Sequence, residues 1–549
     1  MKWLTEHSRK FLSRWYLQEG QSPEDRIMDI AKTAEATLGI EGFADKFYDY
    51  MSKWYYSLSS PVWSNYWTDR GLPISCFTSY LDDDMANILY TVGEVGMMSK
   101  FGWGTAWYFG ALRERGAEIK NNGKSSWAVH FMQLFDKSVD VVSQGSVRRG
   151  SFACYLPVEH PDIKEFLEIG NEWNPIQRVT TWVTVTDKWL KEMEKWDREK
   201  RKIWAEVIKS RNEKGYPYIF FTDNVNNNTV DVYKDKWLKI HSSNLCSEIL
   251  LPTNKHWSFV CNLSSMNIVE YDEWKNTDAV EVLTYFLDAV MSEFIEKIEA
   301  MPEQCRTFME RAYNFAVANR AIWMGVFGWH TYLQNNMIAF ESPEASVINK
   351  EIFKTMNERA YKASHTLANM FGEPSVLKWY WRRNTTLLAI APTTSSAFIL
   401  WQASQSIEPI SSNYYVKDLA KMKVTVKNPA LKRLLSEKWQ DNREVWHSIR
   451  DNDGSVQHLD FLTDSEKKVF QTFSEINQYA IIDQASDRQK FIDQWQSLNL
   501  TIHPDTSTKE INALYMDAWK QGIKTLYYQH SKSASQQLSR KISCVWCEG

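Results

Sequence analysis

Asn244, Cys246 and Glu248 stand at alternate positions of one short run, His241-Ser242-Ser243-Asn244-Leu245-Cys246-Ser247-Glu248-Ile249-Leu250-Leu251-Pro252. An amide, a thiol and a carboxylate at that spacing could hold a polar substrate, react with it through sulfur and move one of its protons. In extended backbone successive side chains alternate faces, so these three share one face while Leu245, Ser247 and Ile249 lie behind them. Pro252 has no backbone donor and suits a strand end or a turn. A cysteine taken alone is more often a small buried hydrophobe than a reactive group, so a chemical role rests on what the rest of the chain supplies.

Seven cysteines, at 76, 154, 246, 261, 305, 544 and 547, are scattered and odd in number, which is not a secreted disulfide framework and implies a reducing cytosolic setting. Cys544-Val545-Trp546-Cys547 ends the chain on a polar tether. Zinc wants four ligands and only His530 is even loosely near, so no metal site is expected there. Paired thiols on a tether can instead attack a disulfide and resolve the mixed intermediate. Such a tail needs an internal disulfide to reduce, for which Cys76 and Cys261 are the candidates. Tyr527-Tyr528 reads either as a helix end with one ring buried or as two stacked phenols able to pass an oxidising equivalent. The run 384–396 reads as a buried strand entering Thr393-Thr394-Ser395-Ser396 and then a helix. Its hydroxyls and free backbone donors suit an anion without any lysine, or simply cap the helix.

The elements that must position these groups follow from pattern. Ser22-Pro23-Glu24-Asp25 opens a helix that ends near Gly39, and residues 1–70 read as a helical N-terminal region. A long helix is expected from Asp82 to Phe101, a strongly charged one around Trp189 to Lys209, and another from Thr277 to Met301. Strands are expected at 151–156, 218–221 and 257–263, and the last helix is expected to end near Tyr528. Alternating strands and helices imply an α/β body with mostly parallel strands. With 64 basic and 68 acidic residues the net charge is -4, which argues against a general nucleic-acid or membrane-surface protein. No secretory signal and no run of about 18 apolar residues is present. The 26 Trp, 26 Phe and 25 Tyr suggest a dense core and rigid interfaces. Residues 531–537 read as the start of a mobile tail.

Asn244-Leu245-Cys246-Ser247-Glu248, Cys261-Asn262-Leu263-Ser264-Ser265-Met266-Asn267, Gln144-Gly145 with Arg148-Arg149-Gly150, Ala391-Pro392-Thr393-Thr394-Ser395-Ser396, the run 488–494, Leu526-Tyr527-Tyr528 and the cysteine-paired tail together resemble the catalytic large (alpha) subunit of class I ribonucleotide reductase. They run in the family's order from about Ser60 to the C-terminus. The resemblance implies a ten-stranded α/β barrel of two five-stranded parallel halves, antiparallel to each other, over about residues 71–530, with the radical cysteine on a loop inside and a redox tail at 531–549. It also assigns roles. Cys246 would become a thiyl radical and take the ribose 3′ hydrogen, Glu248 would act as general base, and Asn244 would hold the sugar. Cys76 and Cys261 would close as a disulfide, to be reopened by Cys544 and Cys547. Tyr527 and Tyr528 would relay the radical. Ser60, Ser75 and Thr393 to Ser396 would bind the substrate, while Asp83, Arg113, Ile119, Gln144, Arg148 and Arg149 would bind and report an effector nucleotide, a deoxynucleoside triphosphate or ATP. Cys154 and Cys305 match no family thiol and read as packing residues.

The same resemblance implies ribonucleoside diphosphate substrates, a metal-containing, radical-generating small (beta) subunit, a thioredoxin- or glutaredoxin-type reductant, no cofactor resident in this chain, and a cytoplasmic homodimer joined near Asp82 to Phe101. Too few residues precede Ser60 for the ATP cone that many large subunits carry, so no such activity switch is expected, and the compactness resembles phage-encoded reductases. The family's glycine run near residue 100 is thinned to Gly102 and Gly104 around Trp103, and Ser247 stands where Thr is commoner. Two other readings stand beside this one: a cobalamin-dependent reductase of the same barrel, which would have no use for the tyrosine pair, and an inactive nucleotide-binding regulator, which would have no need of five placed cysteines.

Overall fold

The computed structural model describes residues 1, 3–101, 104–126, 128–144, 148–149, 151–393, 403–419 and 422–530. Five parallel strands, Cys76–Tyr80, Gly104–Tyr108, Ser151–Pro157, Val179–Val185 and Tyr218–Phe221, hydrogen-bond in that order. They are rich in β-branched and aromatic residues and are buried almost throughout, as strands covered on both faces must be. A second parallel series follows. Phe259–Val260 and Leu263–Asn267 form its first strand, and the latter pairs with Trp323–Phe327. Single bridges carry the order on through Met324↔Leu388 and Ile390↔Gln496, and Leu500–Thr501 pairs with Gln529–His530.

The two series meet antiparallel at both edges, Phe259–Val260 on Cys76–Tyr80 and Thr525–Leu526 on Tyr218–Phe221. That closes the ten-stranded barrel expected from the resemblance. Helices cover the outside, among them Met85–Lys100, Ala279–Glu299, Pro343–Phe371 and Gln478–Gln489.

The N-terminal region is helical as expected. Ser22 caps Pro23–Leu38 by accepting from the Asp25 N–H, and Gly39 ends that helix at φ 62°. The region also adds a strand, Tyr56–Leu58, antiparallel to Leu263–Asn267. A smaller second core, with Leu431, Leu435, Trp446, Ile449 and Phe470, lies apart from the barrel and had no counterpart in the sequence pattern.

Three expectations are corrected. The charged helix is two helices, Asp187–Glu194 and Arg198–Lys214, because Asp197 caps the second through the Glu199 and Lys200 N–H groups. Among the described residues the last helix is Thr508–Lys520, so Tyr527 and Tyr528 lie between the short strands Thr525–Leu526 and Gln529–His530 and not at a helix end. The tryptophans do not all fill the core: Trp63, Trp274, Trp329 and Trp495 are buried, whereas Trp196, Trp237 and Trp439 are 76%, 85% and 92% exposed. No helix among the described residues is long and apolar enough to cross a membrane.

Candidate active site

The segment that follows Ile240 runs into the barrel and turns back on itself. Asn244 N–H donates to the Ile249 carbonyl at 3.0 Å and Ser247 N–H to the Asn244 carbonyl at 3.3 Å, with Ser247 at φ 77°. The extended geometry expected for this run is therefore wrong at residues 245–247, which form a tight turn. A left-handed residue here suits an unbranched side chain. Asn244 and Glu248 converge across the base of that turn and not along a strand face: Asn244 Nδ2 donates to Glu248 Oε1 at 2.9 Å, and Asn244 Oδ1 accepts from Ile249 N–H at 3.1 Å.

Both barrel halves grip the turn. From the first half, the Tyr155 hydroxyl lies 2.6 Å from the Ser243 hydroxyl and donates to the Asn244 carbonyl at 3.2 Å. From the second, Trp495 N–H donates to the Glu248 carbonyl at 2.9 Å and Gln494 Oε1 accepts from Leu250 N–H at 2.7 Å. Ser497 Oγ lies 2.5 Å from the Cys246 carbonyl oxygen and 3.1 Å from Glu248 Oε2. A Cβ added to Gly104 would meet Leu245 Cδ2 at 2.9 Å and Cys76 Sγ at 3.4 Å, so glycine is what lets the turn approach this strand.

Cys76 and Cys261 face each other where the halves join. Cys261 N–H donates to the Cys76 carbonyl at 2.9 Å, and Ser75 N–H to the Cys261 carbonyl at 3.0 Å. The Cys76 thiol is in hydrogen-bonding contact with both Cys246 and Cys261. Contact with Cys246 lowers its pKa, but contact with Cys261 and burial together raise it well above the ordinary thiol range. The Cys246 thiol is raised likewise, by its contact with Cys76, by burial and by the Glu248 charge, against an opposing contact from the Tyr527 hydroxyl. Burial raises Cys261 as well. Thiols held protonated are poor nucleophiles and good hydrogen-atom donors, which sets this cluster apart from a thiolate site.

Tyr527 is buried and Tyr528 half-buried, with ring centroids 4.4 Å apart at 63°. Tyr218 packs on both, at 4.7 and 4.9 Å, and Tyr528 stacks parallel on His530. A line of contacts therefore runs from Tyr528 through Tyr527 to Cys246. Glu248 is buried beside that thiol, and burial pushes its carboxyl up to about 7 against its hydrogen bonds from the backbone, Asn244 and Ser497. A base poised near neutrality suits proton transfer at cellular pH.

The other expected residues divide. Ser75 joins the cysteine seam, its hydroxyl 3.3 Å from the Cys261 carbonyl. Ser60 opens the helix Ser60–Asn65 and bonds Tyr16 at 3.0 Å. Thr393, at φ 52°, accepts from Ser406 N–H at 2.7 Å. Thr394, Ser395 and Ser396 lie outside the described residues, as do Cys544, Cys547 and the rest of the expected tail.

On the outer layer Arg113 Nε donates to Asp83 Oδ2 at 2.5 Å and Arg113 Nη1 to the Glu118 carbonyl at 3.2 Å, next to Ile119. Gln144, Arg148 and Arg149 belong to a two-stranded backbone hairpin, Ser143↔Arg149 and Gln144↔Arg148, so part of the expected flexible turn is ladder. Cys154 is buried within its strand and Cys305 lies half-buried on the short helix Glu303–Arg306. No cluster able to hold a metal occurs among the described residues. Tyr155, Tyr218, Ser243 and Ser497 were not anticipated. For Ser497 the available signal was a polar side chain inside the buried run Trp495-Gln496-Ser497-Leu498.

Known proteins resemble the chain over almost its full length. The family model described as the ribonucleotide reductase barrel domain matches residues 74–200, 197–380 and 377–529, and the one described as the all-alpha domain matches residues 2–71. A ribonucleoside-diphosphate reductase large subunit of Invertebrate iridescent virus 3 is 33% identical over 97% of this chain and 96% of its own length. A putative large subunit of Frog virus 3 is 36% identical over 92% of each. Among solved structures, the class Id ribonucleotide reductase alpha subunit of Actinobacillus ureae superposes with a TM-score of 0.92 at 53% identity, covering 99% of both chains.

Proposed function

Because the chain belongs to the ribonucleotide reductase large-subunit family, we propose that it is the catalytic subunit of a ribonucleoside-diphosphate reductase and that Cys246 is its radical centre. The observation that carries this is the meeting of three protonated thiols, a buried carboxyl and a tyrosine hydroxyl inside the barrel. An oxidising equivalent handed over by a radical-generating small subunit would pass from Tyr528 to Tyr527. Tyr527 would then take the hydrogen atom of the Cys246 thiol. The Cys246 sulfur radical removes the 3′ hydrogen of the ribose. Glu248 accepts the 3′-hydroxyl proton, with Asn244 holding the sugar, and the weakened C2′–oxygen bond breaks as the 2′-hydroxyl leaves as water. Cys76 and Cys261 together give up two protons and two electrons, as one proton to the departing water, one hydrogen atom to C2′ and one electron to the C3′ carbonyl, whose oxygen takes its proton back from Glu248, and they close as a disulfide. Cys246 then returns its hydrogen to C3′, which regenerates the radical. Cys544 and Cys547 would reopen the disulfide and pass the oxidation to a thioredoxin- or glutaredoxin-type reductant.

Three further parts of the reading follow from family membership. Thr393 to Ser396, with Ser60 and Ser75, would hold the diphosphate substrate. The Asp83–Arg113 pair, Ile119 and the hairpin carrying Gln144, Arg148 and Arg149 would read a nucleoside triphosphate effector. The helix Met85–Lys100, with Met85 and Leu89 more than half exposed, would join two copies in the cytoplasm.

The test is turnover of cytidine diphosphate. Deoxycytidine diphosphate is expected only when a metal-containing small subunit is present, and Cys246→Ser should abolish it while leaving nucleotide binding intact. Turnover by this chain alone with adenosylcobalamin would overturn the partnership. An active Cys246→Ser variant would overturn the sulfur-radical role.

A further inference from the structure

Glu94, on the inner face of the helix Met85–Lys100, is fully buried and touches the seam that carries Cys76 and Cys261. Ser258 Oγ lies 2.7 Å from both Glu94 Oε1 and Ser79 Oγ. Ser79 is three residues from Cys76 on one strand, and Ser258 three residues from Cys261 on the other. The register Phe259↔Thr78 and Val260↔Phe77 places the two serines opposite one another. Arg311 supplies the counter-charge, 3.5 Å from Glu94 Oε2 and 3.3 Å from Ser79 Oγ, and its carbonyl accepts from Ser258 N–H at 3.2 Å. Oε2 makes no hydrogen bond beyond the 3.5 Å approach of Arg311, so the close contact of this carboxyl is with the serine pair.

We propose that Glu94 is a positioning residue that fixes the register of Cys76 against Cys261; this rests on the redox role proposed above. The test is a single turnover of the prereduced holoenzyme. Glu94→Leu should slow closure of the Cys76–Cys261 disulfide by roughly tenfold, as small misplacements of reacting groups do, with the KM for cytidine diphosphate unchanged. Glu94→Gln, which keeps the bond to Ser258, should restore the rate. Parental closure rates in Glu94→Leu would overturn the proposal. A parent enzyme that forms no disulfide at all would overturn the redox reading itself.

An independent observation concerns the backbone. Among the described residues, seven of the non-glycine positions with positive φ are tryptophan: Trp54, Trp67, Trp196, Trp237, Trp379, Trp381 and Trp439, at φ between 54° and 80°. A bulky side chain there is an outlier, because its Cβ crowds the following carbonyl. Four of the seven occupy the position just past a helix where the chain turns left-handed and glycine is the usual residue. At each, the tryptophan N–H and the next N–H fold back onto the last turn: Trp54 to Met51 and Tyr55 to Tyr50, Trp196 to Met193 and Asp197 to Glu192, Trp237 to Lys234 and Leu238 to Tyr233, Trp439 to Ser436 and Gln440 to Leu435. The helix Thr508–Lys520 ends in the same pair of bonds with Gly522 at φ 80°.

Arg201 lies 3.6 Å over the Trp196 ring, Lys378 lies 5.7 Å over that of Trp379, and Trp54 packs on the core, but the indoles otherwise gain little from these places. Six of the seven are at least 65% exposed, and the buried Nε1 of Trp54 has no hydrogen-bond partner. The chain also holds more tryptophan than glycine, 26 against 21 in 549 residues, where glycine alone usually makes up about 7%. A set of docking aromatics would not require left-handed backbone at the ends of unrelated elements.

We infer that positions 54, 67, 196, 237, 379, 381 and 439 are glycine in the chain as its own cell makes it. The codon concerned would be UGA, which different genetic codes read as stop, tryptophan or glycine. Peptide mass spectrometry of the enzyme from the cells that carry the gene should find glycine at all seven, and tryptophan there would overturn the inference. In recombinant protein, replacing the seven together by glycine should raise the Tm by at least about 5 °C with turnover retained. Glycine at the buried Trp63, Trp274, Trp329 or Trp495 should lower it. A sevenfold variant that melts no higher than its parent would also overturn the inference.

Discussion

The Glu248 carboxyl makes the sharpest prediction, since its ionisation should be visible in the rate. Burial lifts it from 4.5 to about 7, which corresponds to roughly 3 kcal/mol in favour of the protonated form. As a general base it works only when ionised. The kcat/KM for cytidine diphosphate should therefore rise with pH through about 7 and then level off; one unit below that value only about a tenth of the enzyme carries the active carboxylate. The hydrogen bonds from Asn244 and Ser497 oppose the shift. Removing one that serves a charged group costs about 1.5–3 kcal/mol, so Ser497→Ala should carry the acid limb upward by about one to two pH units. Glu248→Gln should lose the limb altogether and about 10²–10⁴-fold in rate. The same burial penalises the folded state once the group ionises. That cost is absent below pH 4.5 and grows to at most about 3 kcal/mol above pH 7, so Glu248→Gln should melt higher than the parent at pH 8 and equally at pH 4. Steady-state rates with saturating small subunit, measured from pH 5.5 to 9, provide the assay. An acid limb that stays in place or moves downward in Ser497→Ala would refute the reasoning.

Tyr528→Phe should stop multiple turnover with unchanged melting temperature and circular dichroism, because it removes only an oxidisable hydroxyl; parental rates would remove the relay. Cys547→Ser should block steady-state turnover with a protein reductant yet allow one turnover of prereduced enzyme, read as product per subunit. Arg320→Ala should cost about 3–5 kcal/mol in denaturant unfolding, since Arg320 binds both oxygens of the buried Asp288 at 2.9 Å and Asp288 also accepts from Asn384. Asp83→Ala should weaken the response to nucleoside triphosphates, measured as effector-dependent change in substrate preference, while turnover without effector persists.

Local chemistry was legible in the sequence wherever it was carried by residue identity. Cys246, Glu248 and Asn244 were singled out by residue type and do lie together inside the barrel, although the extended backbone that grouped them gives way to a turn, because Ser247 goes left-handed and nothing in its neighbours announces this. The strands Ser151–Pro157 and Tyr218–Phe221 lay where apolar β-branched and aromatic runs put them. What could not be read was long-range pairing. Cys76 and Cys261 were paired on the chemistry of the tail and on the resemblance; the antiparallel junction that brings them together joins segments far apart in the chain, and no periodicity encodes a register of that kind. Ser497 and Tyr155 escaped for the same reason, since each matters through a contact with the run 243–248, distant from it in sequence. The boundary error at Tyr527 arose from a helix pattern that stops at Lys520 and resumes as strand.

The junction at Cys76 and Cys261 has a mechanical consequence. These residues belong to opposite sub-barrels, so oxidising them adds a covalent rivet between two bodies otherwise joined there by non-covalent contacts. In the loop-entropy picture, a crosslink spanning so much chain restrains the unfolded polypeptide by about 5 kcal/mol. The spent enzyme would thus be the sturdier form, and each recharge by a reductant would loosen the scaffold before the next substrate arrives.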